Sequence, residues 1–222
     1  MKCFVRYSTL MAVLFACEAG TARAQTPGAA APERGYAEVT AGATFGHTSN
    51  SSIGVEAGYR LLDINSPVVD KMYVFVEGGR MGNVATADLD ARAQSLANFI
   101  GASVTTTQEA KYFDAGLKFR LMQLGYGGWR TYVLFGVGAA SVTTSANFSG
   151  GNGLQVLLGQ DLSSTLTKPL VTVGVGTNAT FGKRLLVDIT YRYGRIFPKT
   201  AVIENDVAIN TQRLQAGIGI RF

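Results

Sequence analysis

Arg213-Leu-Gln-Ala-Gly-Ile-Gly-Ile-Arg-Phe222 closes the chain. Leu214, Ala216, Ile218, Ile220 and Phe222 fall on one face of an extended backbone. Arg213, Gln215, Gly217, Gly219 and Arg221 fall on the other. Side chains alternate across a strand with a period of two, so the stretch predicts a strand with one apolar and one polar face. The same period recurs upstream. In Tyr36–Gly46, Ala37, Val39, Ala41, Ala43 and Phe45 oppose Glu38, Thr40, Gly42 and Thr44. In Ser52–Leu61, Ile53, Val55, Ala57, Tyr59 and Leu61 oppose Gly54, Glu56, Gly58 and Arg60. Five further segments fit the template: Met72–Met81, Tyr112–Met122, Thr131–Val142, Leu170–Phe181 and Leu185–Ile196. Tyr73–Val76 is apolar on both faces, and Glu77 is assigned inward. Segments of about ten residues are the length of tilted strands that cross a membrane.

Composition narrows the class. Hydrophobic residues make up 47% of the 222 and charged residues 16%, against a usual charged share of about 25%. That hydrophobicity excludes a disordered chain. Two cysteines exclude a disulfide scaffold. After residue 24 no run reaches the roughly 18 apolar residues of a membrane helix. The net charge of +5 is spread out, which argues against a nucleic-acid partner. In a soluble sandwich, or a soluble barrel of the lipocalin type, the apolar face would be the core. In a membrane barrel the apolar face meets lipid and the polar face lines a lumen.

Three features favour the membrane. The polar faces are dense in glycine, which makes room inside a narrow barrel. The connections near 62–71, 123–129 and 182–184 are short or moderate, whereas those at 82–109, 143–168 and 197–210 are longer, as periplasmic turns and external loops are. Aromatic residues sit at strand ends as two girdles: Tyr59, Phe119, Phe181 and Phe222 toward the periplasm, and Phe45, Phe113, Tyr191 and Tyr193 toward the outside. The predicted fold is an all-β, eight-stranded antiparallel up-and-down transmembrane barrel over 36–222.

The N-terminus reads as an address. Lys2 and Arg6 precede the apolar run Leu10–Cys17, and Ala22-Arg23-Ala24 is a small-x-small site. That is the pattern of a secretory signal peptide over 1–24. Lipid attachment at Cys17 is the competing reading. Residues 25–35, rich in Ala and Pro, are assigned to a periplasmic linker.

The leader, the alternating segments and the closing Leu-Gln-Ala-Gly-Ile-Gly-Ile-Arg-Phe resemble the small outer-membrane β-barrel superfamily that includes OmpA and OmpX. The resemblance implies residence in the cell outer membrane among lipid and lipopolysaccharide. It implies insertion by the barrel-assembly machinery, with Leu214, Ile218, Ile220 and Phe222 as the assembly signal. A monomer is expected. Ending at Phe222, the chain is read as lacking the periplasmic domain of full-length OmpA.

An isolated buried ion is very costly, so inward charges must be paired or wet. Glu77, Asp114, Arg192, Glu56, Lys118 and Arg213 are predicted to form a lumen network that plugs the barrel. The alternative is a narrow channel gated by Glu77 and Asp114 exchanging Arg192. Glu38, Arg60, Arg120, Asp188 and Arg221 are predicted as a second cluster on the periplasmic side. Thr86–Ile100 is predicted as a helix, with Thr86 as its cap and Leu89, Ala93, Leu96 and Ile100 on one stripe. The segment 143–168 is expected to be mobile external surface.

The only histidine, His47, opens His-Thr-Ser-Asn. With Ser49 and Glu56 it resembles the set of an outer-membrane lipid A deacylase, which would use Ser as nucleophile, His as base and a carboxylate to orient it. The motif lies between the first two strands, early for that family, and Glu56 points to the lumen. The chain is therefore expected not to be an enzyme. No phosphate loop or histidine metal cluster appears, and no cofactor or metal is expected.

Overall fold

The computed structural model describes residues 34–64, 66–99, 101–121, 128–149, 164–182, 184–198 and 207–222. The leader over 1–24, with Cys17 and Ala24, and the linker up to residue 33 lie outside them. Eight strands follow in order: β1 (Gly35–Phe45), β2 (Asn50–Asp63), β3 (Val69–Met81), β4 (Ser103–Leu121), β5 (Arg130–Ser149), β6 (Ser164–Phe181), β7 (Leu185–Ile196) and β8 (Ile209–Arg221). One helix, α1 (Ala87–Phe99), stands between β3 and β4. Each strand pairs antiparallel with the next, and β8 returns to β1, so the sheet closes.

The ladder fixes the barrel's shape. From Gly35 the paired positions run Tyr59, Val74, Leu117, Phe135, Val173, Tyr193 and Gln212, and return to β1 at Phe45, ten residues along. Eight strands with that stagger tilt by roughly 40° and leave an interior just wide enough for side chains. Both chain ends of the barrel are tied at one rim, the one expected to face the periplasm, where the amides of Arg34 and Gly35 donate to the Phe222 carbonyl at 2.9 Å. Pairing begins at Gly35, one residue inside the expected linker. The turn between β6 and β7 passes through Gly182 at φ +62°, a conformation glycine adopts without steric cost.

The apolar faces point out. Val39, Ile53, Val55, Val137, Ile218 and Ile220 are each more than half exposed. On β4 the outward series is Phe119, Leu117, Ala115 and Phe113, and it ends at Lys111. Ten residue steps from Leu121 to Lys111, at about 3.3 Å each and that tilt, span about 25 Å, the height of the apolar band of an outer-membrane barrel.

Three strands exceed their expected lengths by six residues or more. β4, β5 and β6 continue past the band on the external side, pairing Ser103 with Ser149 and Thr144 with Ser164. The expectation of a mobile surface over 143–168 is therefore corrected for 143–149 and 164–168; residues 150–163 lie outside the described chain. These flanks are rich in Ser and Thr. Above the membrane no lipid imposes apolar alternation, so the periodic signal ends while β-branched Thr still suits a strand. Thr143 and Thr165 hydroxyls meet at 3.0 Å, and those of Ser103 and Ser149 at 2.7 Å.

Candidate functional site

The lumen is layered. At mid-height, Glu56 on β2, Glu77 on β3, Lys118 on β4, Arg192 on β7 and Arg213 on β8 converge, with side chains at most 4% exposed. Period two puts each of them on the inward face. Lys118 Nζ donates to Glu56 Oε1 at 2.5 Å. Arg192 donates through Nη2 to Glu56 Oε2 and through Nη1 to Glu77 Oε2, the latter at 2.5 Å. Arg213 Nη1 reaches Glu77 Oε1 at 3.4 Å. A guanidinium suits this bridging role because its planar fork offers several donors in fixed directions.

Three tyrosines complete the layer, and each lies over a glycine directly across the ladder. Tyr36 faces Gly58, Tyr112 faces Gly79 and Tyr132 faces Gly176. A Cβ at any of these glycines would overlap the facing ring. Each hydroxyl then donates to a carboxylate: Tyr36 to Glu56 at 2.5 Å, Tyr112 to Glu77 at 2.8 Å, and Tyr132 to Asp188 at 2.7 Å. The rings also carry the cations. Lys118 Nζ sits 4.3 Å from the Tyr132 centroid and 4.7 Å from that of Tyr36, and Arg213 lies 4.3 Å from that of Tyr112. Such contacts strengthen when desolvated. Among Tyr36, Tyr73, Lys118, Tyr132 and Asp188 a cavity of about 20 Å³ remains, room for about one water.

Asp114 departs from expectation. It is fully buried beside Thr172, and no arginine or lysine bonds its carboxylate. Glu77 shares Arg192 with Glu56 instead. Asp114 sits over Gly136, where a Cβ would overlap its carboxylate. The periplasmic cluster also does not form as one network. Arg120 pairs with Asp70, Arg60 with Asp63 at 3.3 Å, and Arg221 donates to Asn178 at 2.8 Å. Asp188 takes Tyr132 and Thr190, and the Glu38 carboxylate has no hydrogen-bond partner. At the rim Arg60 and Arg120 take other carboxylates: Asp63 lies three residues from Arg60, and Asp70 stands beside Arg120 across the β3–β4 ladder.

Above the network an apolar cluster stands beside buried Thr44, Ser52, Gln108, Lys168 and Thr211, which the strand pattern did not reveal. Met81, Val84, Ala110, Ala140, Val142, Leu170, Ile196 and Ile209 pack together with Tyr112 across the external mouth. The signal lay in the upper strand ends, where Leu170 and Ile196 stand at inward positions.

The girdle residues all face outward. Tyr59, Phe181 and Phe222 lie at the periplasmic end, 48%, 51% and 63% exposed, with Phe119 beside them. Trp129 joins Phe181 edge-to-face at 6.5 Å, an addition to the expected set. Phe45 and Phe113 lie toward the outside. Tyr193 donates to Asn210 at 2.9 Å and Tyr191 to Gln212 at 3.1 Å. Tyr191, paired with Val175 and Leu214, lies below the external rim rather than at it.

Helix α1 starts where expected. Thr86 Oγ1 accepts from the Leu89 amide at 3.3 Å, satisfying one of the free amides of a helix start. Ala93 and Ala97 are its buried residues, with Leu89 and Leu96 half-buried; Ile100 lies outside the described residues. Asp90 receives the Thr106 hydroxyl from β4 and meets His47 Nε2 at 3.2 Å. His47 therefore pairs with Asp90, while Glu56 is held inside the barrel by Lys118, Arg192 and Tyr36. The Ser49–His47–Glu56 arrangement is not assembled. No group of acidic, His or Cys side chains suited to a metal occurs among the described residues.

The model of the outer membrane protein beta-barrel domain family matches residues 8–222. No curated protein matches the chain. Among solved structures, a major outer membrane protein from Thermus thermophilus is 12% identical, over 85% of this chain and 99% of that one, with a TM-score of 0.57. Neisserial surface protein A is 16% identical, over 85% of this chain and 96% of that one, with a TM-score of 0.50. The outer membrane enzyme PagL is 11% identical, over 82% of this chain and 97% of that one, with a TM-score of 0.44. Likeness at these identities carries architecture and not activity.

Proposed function

The chain belongs to the outer membrane protein beta-barrel domain family, and from that membership we propose that it is an integral outer-membrane barrel that acts through its external surface, with a lumen closed to solutes. The observation that carries this reading is Arg192. Its side chain, 1% exposed, is held between Glu56 and Glu77, both fully buried. The reading assigns no catalysis and a surface role instead. Lipid and lipopolysaccharide are its surroundings. The closed β1–β8 seam leaves no strand edge to pair with a second copy, which favours a monomer. Export through the leader and insertion through the β8 signal belong to the same proposal.

Single-channel recording of the refolded protein in a planar lipid bilayer tests it. The expected trace is silent, with at most small and brief steps. A steady, wide conductance would overturn the plug.

A narrow gated channel is the second reading, and one observation favours it. The Asp114 carboxylate has no cation bonded to it, stands beside Thr172 and lies within electrostatic range of Arg192, Arg213 and Glu77. It offers Arg192 an alternative to Glu77. If brief steps occur through that exchange, Asp114→Asn is expected to make them rarer. Unchanged openings in that variant would remove Asp114 from the path.

A further inference from the structure

The β1–β8 seam is closed through the membrane and parts above it. Its ladder ends where Phe45 pairs with Gln212, whereas β8 stays paired with β7 up to Ile209. Beside that upper end of β8 a cleft of about 440 Å³ opens at the external mouth. The β1–β2 connection and the stretch from Asn83 to Thr86, which leads into α1, form its other walls. Small-ligand sites run from about 300 to 1,000 Å³.

The lining is polar without being charged. It holds no Asp, Glu, Lys or Arg. Its one imidazole, His47, is engaged by Asp90 at 3.2 Å. Three amide side chains line it, and the protein holds each by its carbonyl oxygen. Asn83 Oδ1 accepts from the amides of Ala85 at 3.1 Å and Gln108 at 2.9 Å. Asn210 Oδ1 accepts from Tyr193, and Gln212 Oε1 accepts from Tyr191. An amide held by its oxygen keeps its NH2 group to donate. None of the three side-chain nitrogens has a hydrogen-bond partner among the described residues.

Thr44 is an independent pointer to a ligand. It lines the cleft, is 2% exposed, and its hydroxyl has no hydrogen-bond partner among the described residues. A buried hydroxyl without a partner is costly, so a ligand atom that bonds it is favoured. Phe45, facing outward, adds an aromatic surface to the same cleft. Three NH2 groups and a hydroxyl in an uncharged cleft match a molecule that offers many neutral oxygen atoms. A phosphate or sulfate would call for a cation, and the lining holds none. A sugar ring offers hydroxyl oxygens around its edge and a face of C–H groups that packs on an aromatic ring.

We propose that this cleft binds a neutral saccharide from outside the cell. The proposal rests on the reading of the protein as a barrel that acts through its external surface, and it names the class of ligand.

Saturation-transfer NMR on the folded full chain in lauryldimethylamine oxide micelles tests the site, since an alkyl glycoside detergent would itself compete. The probes are three neutral trisaccharides (maltotriose, cellotriose and mannotriose), a sulfated heparin disaccharide, and lipid A bearing its phosphates as a competitor. Transfer to at least one neutral trisaccharide is expected, with none to the sulfated disaccharide and no displacement by lipid A. Asn210→Ala and Gln212→Ala are each expected to weaken binding about threefold to tenfold, the effect of one hydrogen bond. Thr44→Val is expected to weaken binding while raising the urea midpoint, because it removes a hydroxyl that folding leaves unpaired. A merely structural threonine would lower the midpoint and leave binding unchanged. Silence of all three trisaccharides would overturn the site and leave the closed barrel standing. Equal transfer to the sulfated disaccharide would remove the neutral class, and displacement by lipid A would assign the cleft to the leaflet instead. Binding that survives the Asn210→Ala, Gln212→Ala double variant, shown to be folded by heat-modifiable gel migration, would place the saccharide elsewhere. Failure of the wild-type chain to insert into lipid would remove the barrel reading itself.

Discussion

Replacing Arg192 with alanine is expected to destabilise the folded barrel by about 3–5 kcal/mol, the range for breaking a buried charge pair by removing one partner. Around the lumen's middle, Lys118, Arg192 and Arg213 face Glu38, Glu56, Glu77, Asp114 and Asp188, so acids outnumber cations there. Losing Arg192 deepens that imbalance. Glu56 keeps Lys118 at 2.5 Å, but Glu77 keeps only Tyr112 and the 3.4 Å contact with Arg213. Glu77 is therefore the group left most exposed to the cost of burial. Removing its charge should recover part of the loss, so Arg192→Ala with Glu77→Gln is expected to be more stable than Arg192→Ala alone. The urea midpoint of the detergent-folded protein measures both. Arg80→Ala is the control, because its pair with Glu109 is about half exposed and such pairs contribute about 0–1 kcal/mol. An Arg192→Ala midpoint no lower than that of Arg80→Ala would mean the network contributes nothing to stability.

Phase along a strand was legible in the sequence; position around the ring was not. The β7 boundaries, Leu185 and Ile196, follow from alternation alone, as do the inward assignments of Glu56 and Arg192, whereas Glu77 is placed inward by the cost of a charge facing lipid. Glu77 is informative because its flank, Tyr73–Val76, is apolar on both faces; Phe75 turned out to be buried inward, beneath Arg192. Which inward residues touch depends on the ten-residue stagger, and no single segment contains it. This is why Glu56, rather than Asp114, shares Arg192 with Glu77. The apolar mouth escaped for a related reason: Met81, Leu170, Ile196 and Ile209 lie far apart in sequence and meet only once the ring closes. The extended ends of β4, β5 and β6 escaped because polar residues cover both faces above the membrane. Period two records a difference in environment between two faces and vanishes where there is none.

The glycines show the same dependence on register, and they carry the second large effect. On sequence grounds they simply make room. In the ladder, Gly58 is the seat of one particular ring: its nearest neighbours at a Cβ position are the Cε1, Cζ and hydroxyl of Tyr36, with no backbone among them. Gly58→Leu is thus expected to expel Tyr36 rather than to distort a strand. That ring donates to Glu56, lies under the Lys118 ammonium and meets Tyr73 edge-to-face at 6.1 Å. Overpacking costs about 1–3 kcal/mol, and losing a hydrogen bond to a charged group about 1.5–3 kcal/mol. Together they place the variant roughly 3–5 kcal/mol below wild type, enough to prevent the compact, fast-migrating band from forming under conditions where wild type folds. Tyr36→Ala alone leaves a void under Lys118 and is also expected to be destabilised. The decisive measurement is the double variant. If Gly58 exists to seat Tyr36, a leucine at 58 fills the space that Tyr36→Ala vacates. The double variant is then markedly more stable than the sum of the two single losses predicts. Strictly additive losses would mean that glycine at 58 is required by its strand and not by its partner across the ladder.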